Sequence, residues 1–263
     1  MSGVHEPTSY FVSAGSTLVP RPEAASPWSP EMLGGRQLAA LVAWAVERDG
    51  EPGDVYQPAR LTVDMFRPGP MRPLDVVTRV ARSGHRIRVL DVSVRCDDVE
   101  VCRGSAVLLR RGTPSPGTVW EPDPWDVPRP DAVPADDGRR AVFGDLRMVT
   151  PWSSGEEAGR MWLRETHQLV AGTPLSPLVR TALAADFANP MANSGNRGLG
   201  YINADLTLGL ARPARGEWVG CEVIGRTSDA GVSVGVISLY DVAGRIGYAT
   251  VNALADDRLL RGD

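Results

Sequence analysis

The segment Leu61-Thr62-Val63-Asp64-Met65-Phe66-Arg67-Pro68 returns in altered form as Leu206-Thr207-Leu208-Gly209-Leu210-Ala211-Arg212-Pro213, 145 positions further on. The same offset carries Ala59 onto Ala204, and it then holds without a gap. Ile87 falls on Val232, Val89 on Val234, Val92 on Ile237, Ser93 on Ser238, Val101 on Ile246 and Leu109 on Leu254. Few of these residues are identical. An apolar pattern kept over about fifty residues nevertheless indicates an internal duplication.

Working outward from these strands, each half shows the same order of elements. In the first, a short strand around Ser9 to Val19 precedes a helix. Its residues Leu38, Leu41, Val42, Ala45 and Val46 recur at helical spacing behind Gly34-Gly35. The runs LTVDMFRP, DVVTRVARS, RIRVLDVSVRC and VEVCRGSAVLLR follow as strands, with turns at Ser83-Gly84 and Asp97-Asp98. The second half opens with GRMWLRET and predicts a helix from about Ser176 to Phe187. YINADLTLGLARP, GEWVGCEVIGRTS, GVSVGVISLY and RIGYATVNALA then read as strands, with turns at Asp229-Ala230 and Val242-Ala243-Gly244. Between the halves, prolines at 114, 116, 122, 124, 128, 130 and 134 exclude helix and central strand. The expected organisation is therefore an N-terminal module over 1–111, an extended Pro-rich linker over 112–140 and a C-terminal module over 141–263. One helix and one set of antiparallel strands can bury each other only if the sheet curls around the helix. The predicted class is α+β, a double hotdog with two long helices, each wrapped by a curved antiparallel sheet.

Bulk properties narrow the function. In 263 residues, 43% are apolar and 23% charged, the usage of a folded globular protein. A net charge of −4, with no run of Lys and Arg, argues against nucleic acid as a partner. No segment approaches the ~20 apolar residues that span a bilayer, and the N-terminus lacks the pattern of a secretory signal. Cys96, Cys102 and Cys221 match neither zinc nor redox spacing, so reduced thiols in a cytoplasmic protein are expected, with no metal and no cofactor.

Three polar positions break the apolar pattern of the second half. Asp186 falls on the stripe formed by Leu175, Leu178, Val179, Ala182, Leu183 and Phe187, near a helix end whose dipole disfavours negative charge. Such a carboxylate is either a base facing a cavity, with a raised pKa, or a cap on the loop after a helix that ends near Ala184. Strict alternation puts Ile202, Ala204, Leu206, Leu208 and Leu210 on one side of their strand, and Asn203, Asp205 and Thr207 on the other, lining a site or facing water. Asn252 interrupts the last strand, where a buried amide needs partners. The counterparts of Asp186, Asn203 and Asn252 in the first half are Leu41, Pro58 and Val107, so one site per chain is expected.

Other signals are weaker. Gly231-Val232-Ser233-Val234-Gly235 matches the GxSxG nucleophile pattern, but it opens a strand and no histidine follows His167. His5, His85 and His167 read as structural or solvated.

The segments SPWSPEMLGGRQLAAL, LTVDMFRPGP, SPLVRTALAADFANPM, INADLTLGLARP and GEWVG resemble the double-hotdog acyl-CoA thioesterases, the type II group, over nearly the whole chain. In that family an Asp, a Thr and a Gln hold water against the thioester carbonyl. Asp186 in AADFAN looks like the aspartate, while Asn203 and Asn252 fall on the threonine and glutamine positions. The resemblance implies a catalytic set of Asp186, Asn203 and Asn252, hydrolysis of fatty or related acyl-CoA thioesters, and a homodimer or higher homo-oligomer. Gly34, Gly35 and Arg36, at a helix start, would offer backbone amides to the carbonyl oxygen. Two alternatives stay open: an acyl-CoA or acyl-chain binder without efficient turnover, and a structural assembly partner.

Overall fold

The computed structural model describes residues 8–50, 53, 55–135, 144–152 and 157–256. Among these residues, fourteen strands join in one sheet. In chain order they are β1 (Ser9–Ala14), β2 (Thr17–Pro20), β3 (Tyr56–Met65), β4 (Leu74–Ser83), β5 (Ile87–Cys96), β6 (Val99–Arg110) and β7 (Asp145–Thr150). The rest are β8 (Arg160–Arg164), β9 (Gln168–Val170), β10 (Tyr201–Asn203), β11 (Asp205–Leu210), β12 (Val219–Asp229), β13 (Val232–Asp241) and β14 (Gly244–Ala255). Their order across the sheet is β9-β1-β2-β4-β5-β6-β3-β11-β14-β13-β12-β8-β7, with β10 extending β11 along β14.

The duplication is visible in the element bounds. Shifting β3, β5 and β6 by 145 positions gives the bounds of β10 with β11, of β13 and of β14, while β12 is one residue longer than β4. The halves meet where β3 and β11 pair antiparallel, with Thr62 opposite Thr207. These two threonines are the same position of the repeat, so a local two-fold axis passes between them. Side chains alternate as expected: Leu61 and Val63 of β3 and Leu206 and Leu208 of β11 are buried.

The predicted first strand is in fact a hairpin, turned at Gly15 with φ of 66°, and β1 continues as the parallel neighbour of β9 from the other half. The linker is extended, apart from a short 3-10 turn at Pro130–Ala132, but it is not a free spacer. Trp125 stacks on Tyr240 at 4.0 Å between ring centroids, and Pro128 O accepts from the Trp162 indole at 3.0 Å. Residues 136–140 of the expected linker lie outside the described residues.

The helices depart most from expectation. α1 (Gly35–Gly50) is one long helix, buried along Leu38–Ala43 and seated so tightly on β6 that a Cβ at Gly104 would come within 2.2 Å of Val42. Among the described residues the second half has two short helices instead, α2 (Pro177–Ala185) and α3 (Ala188–Asn193). α2 starts properly, with the Ser176 hydroxyl accepting from Val179 N at 3.1 Å and Pro177 in the first turn. It stops at Asp186 because Pro190, four residues on, has no N–H for the Asp186 carbonyl and its ring would collide with that oxygen. The two-long-helix expectation therefore fails on one proline.

Candidate active site

The break in the helix sets the geometry of the site. Asp186 caps α2 and turns its carboxylate toward the first turn of α1. Asn203 Nδ2 donates to Asp186 Oδ1 at 3.0 Å, and the backbone amide of Arg36 donates to the same carboxylate. A Cβ at Gly35 would lie 3.2 and 3.3 Å from the two carboxylate oxygens, so the absent side chain is what lets helix start and carboxylate approach. Protein encloses the carboxyl group, and its residual exposure faces a cavity. Desolvation pushes its pKa up, against the opposing pull of the Asn203 hydrogen bond, the Arg36 charge and the Arg36 amide.

Strict alternation would have turned Asn203 outward with Asp205 and Thr207. A β-bulge prevents this: Asn203 pairs with Ala253 and Thr207 with Thr250, so β10–β11 holds one more residue than β14 at Ala204. The extra residue re-aims Asn203 inward, beside Met65 and Asp186. The bulge recurs in the first half, where the register of β3 on β6 shifts across Ala59, the counterpart of Ala204.

Asn252 does not join them. It lies between Val251 and Ala253, both buried, and so points out of the sheet, where it is exposed. Its Nδ2 donates to Asp205 Oδ2 at 2.7 Å and its backbone N to Oδ1 at 2.8 Å, a clamp on the outer side of the bulge. The expected trio is thus a pair, Asp186 and Asn203.

The start of α1 offers fewer free groups than expected. Gly34 N donates to Ala24 O at 3.1 Å and the Arg36 amide serves Asp186, so of the three amides only that of Gly35 has no acceptor among the described residues. The Arg36 side chain is not presented to a ligand. Its guanidinium, 6% exposed, lies 2.6 Å from Glu165 Oε2 and over the Phe187 ring at 5.5 Å. Glu165 also accepts from Tyr10 Oη at 3.0 Å and from the Thr166 and His167 amides at 2.9 Å, and it meets His167 Nδ1 at 2.8 Å. Burial alone would raise the Glu165 pKa, but Arg36 and then His167 reverse this and bring it to about 2. His167 is therefore structural, through a carboxylate two residues away. This network behind the site had no signal in the sequence, since Arg36 and Glu165 stand 129 positions apart.

Asp186, Asn203 and Gly35 open on a cavity of about 490 Å³, walled by apolar side chains that include Leu33, Leu38, Met65, Trp152, Phe187 and Ile202. An apolar cavity with a few converging polar groups is the form of a small-molecule site. Ser233 of the GxSxG pattern lies inside β13, its hydroxyl bonded to Asn193 Oδ1 at 2.9 Å, with no nucleophile elbow. No cluster of metal-ligating side chains occurs among the described residues.

Residues 24–109 match the family model of the acyl-CoA thioesterase N-terminal domain, and residues 121–250 match that of the C-terminal domain. The chain belongs to the acyl-CoA thioesterase family. Among solved structures, this family member is similar to a tesB protein of Mycobacterium avium subsp. paratuberculosis, with 16% identity, 93% and 95% of the two chains covered and a TM-score of 0.69. It is also similar to the acyl-CoA thioesterase II TesB2 of Mycobacterium marinum (15%, 84% and 89%, 0.64). A third similar structure is a conserved hot dog fold protein of Alicyclobacillus acidocaldarius (16%, 97% and 99%, 0.70). These likenesses establish the hotdog fold. No curated protein matches the chain significantly. No helix among the described residues is long and apolar enough to cross a membrane.

Proposed function

We propose that this chain hydrolyses acyl-CoA thioesters with a water molecule activated by Asp186. The observation that carries the reading is the Asp186 carboxylate held by Asn203 and by the start of α1 at the wall of an apolar cavity. A carboxylate whose pKa is pushed up by desolvation is a better base near neutral pH than an exposed one. Asn203 spends its N–H on Asp186 and keeps Oδ1 to accept from the attacking water, which fixes the water's second hydrogen toward the carboxylate. As the water oxygen bonds to the thioester carbon, its proton passes to Asp186. The oxyanion that forms meets the free Gly35 amide at the positive end of α1. Collapse breaks the C–S bond, and the thiolate, a far weaker base than an alkoxide, leaves readily and takes up the proton that Asp186 returns. The apolar wall accommodates the acyl chain.

Steady-state hydrolysis of a panel of acyl-CoAs tests this: Asp186→Asn should lose roughly 10²-fold or more in kcat. Unchanged turnover would remove Asp186 from the chemistry. A second reading, an acyl-CoA binder without turnover, is favoured by the outward Asn252, which leaves two polar groups at the site instead of three. Saturable binding with no hydrolysis above background would select it.

A further inference from the structure

We propose that Arg67 is the point at which this protein recognises the phosphates of the coenzyme A carrier. The inference rests on the acyl-CoA reading above and adds to it the residue that distinguishes this carrier from an uncharged thiol.

Arg67-Pro68 and Arg212-Pro213 are the same position of the two halves, yet their guanidinium groups differ in circumstance. Arg212 is locked: both its terminal nitrogens reach the Asp241 carboxylate, which is 0% exposed, and it also donates to Gly244 O at 3.2 Å. The first-half counterpart of Asp241 is Cys96, a buried thiol that offers no anion. Arg67 is exposed, and no acceptor or ion-pair partner for it occurs among the described residues. Neighbouring cations are already engaged, Arg72 by Asp97, Arg103 by Glu100 and Arg36 by Glu165. The two halves thus share the arginine but not its partner.

Its place gives that freedom a use. Arg67 lines the same cavity as Asp186 and Asn203, and being exposed it stands at the rim, where the cavity meets solvent. The deeper wall is apolar and suits the acyl chain. A polyanionic carrier must then remain toward the rim, and an unpaired guanidinium is the group best shaped to bind phosphate there by two parallel hydrogen bonds. Trp28 and Phe66, 47% and 48% exposed on the same lining, add flat apolar surface suited to the base of that carrier.

Calorimetric titration of the wild-type protein and of Arg67→Ala with coenzyme A, and with phosphate-free pantetheine, tests the proposal. Wild type should bind coenzyme A more tightly than pantetheine. Arg67→Ala should weaken coenzyme A about tenfold, as expected for a charge-assisted contact, leave pantetheine unchanged and flatten the salt dependence; Arg67→Lys should fall between. The proposal is overturned if Arg67→Ala binds coenzyme A like wild type, if both ligands weaken equally, or if wild type does not prefer coenzyme A. Hydrolysis of octanoyl-pantetheine separates the two readings. If this substrate is cleaved equally by wild type and Arg67→Ala but coenzyme A binding ignores Arg67, only the carrier proposal fails. If Arg67-dependent coenzyme A binding persists without hydrolysis of any thioester, only the hydrolase reading fails.

Discussion

In α1, Leu41 and Ala45 stand where the second half has Asp186 and Pro190, and the helix runs unbroken from Gly35 to Gly50 with Leu41 fully buried. In the second half the proline ends α2, and the carboxylate at the break turns to meet the start of α1 and the amide of Asn203. The strands of the two halves agree almost residue for residue, including the bulge at Ala59 and Ala204. Two substitutions in one helix, with Asn203 in place of Pro58, therefore separate a half that keeps its helix whole from a half that brings a carboxylate to the shared cavity. A common sheet supplies the frame, and the local break positions the carboxylate.

Exchanging residues across the repeat attacks this comparison most directly. Leu41→Asp should cost about 3–5 kcal/mol in urea unfolding, because a carboxylate in an intact, fully packed helix has no donor to meet it. Asp186→Leu should unfold no more easily than wild type, though its hydrolysis should be lost. Equal destabilisation by both would show that the broken helix does not make room for the charge.

The next effect concerns the cation between the halves. Arg36→Met leaves Glu165 buried without its main partner and should cost about 3 kcal/mol or more. Because Arg36 also opposes the upward pull of burial on Asp186, its removal should move the acid limb of the kcat/KM profile to higher pH. In wild type, Glu165 is held at about 2, below its unfolded value, so its stabilisation is complete above the ordinary carboxylate range and disappears as pH falls toward about 2. Asp186 has the opposite sign. Its raised pKa makes ionisation a cost to stability as pH rises, and activity should fall as pH drops through that raised value. An acid limb at the ordinary carboxylate value, unmoved in Arg36→Met, would contradict both statements.

The smallest effects distinguish the two sides of the bulge. Asn203→Ala should reduce kcat by about tenfold or more, through loss of the group that orients Asp186. Asn252→Ala, which releases only the outer clamp on Asp205, should leave kcat within about twofold and stability within about 1 kcal/mol. A large catalytic loss at Asn252 would return it to the site.

What the sequence made legible was whatever follows from periodicity. The offset of 145 located four pairs of strands, and the position of Asp186 on an apolar stripe marked it as a residue needing explanation. Two features escaped because they are departures from periodicity. Alternation placed Asn203 and Asp205 on one side, and a single extra residue at Ala204 separated them. A helix pattern that reads through Phe187 hides the veto of Pro190 on the Asp186 carbonyl, although that proline was there to be counted. Asn252 was misplaced for the opposite reason: alignment to a family position overrode the alternation of Val251 and Ala253, which the strand obeys. Glu165 could not have been found, since only folding brings it to Arg36.

The crossing of β1 onto β9 bears on how the molecule is made. Tyr10 and Glu165 are 155 positions apart, yet Tyr10 donates to the very carboxylate that holds Arg36 behind the site. On the ribosome, the N-terminal helix and strands emerge well before that carboxylate is synthesised. The buried arginine must wait for its counter-ion, with contacts of this sequence separation forming late and slowly. Assembly of the proposed site therefore waits for the second half, and a translation product that stops short of Glu165 leaves Arg36 without its counter-ion.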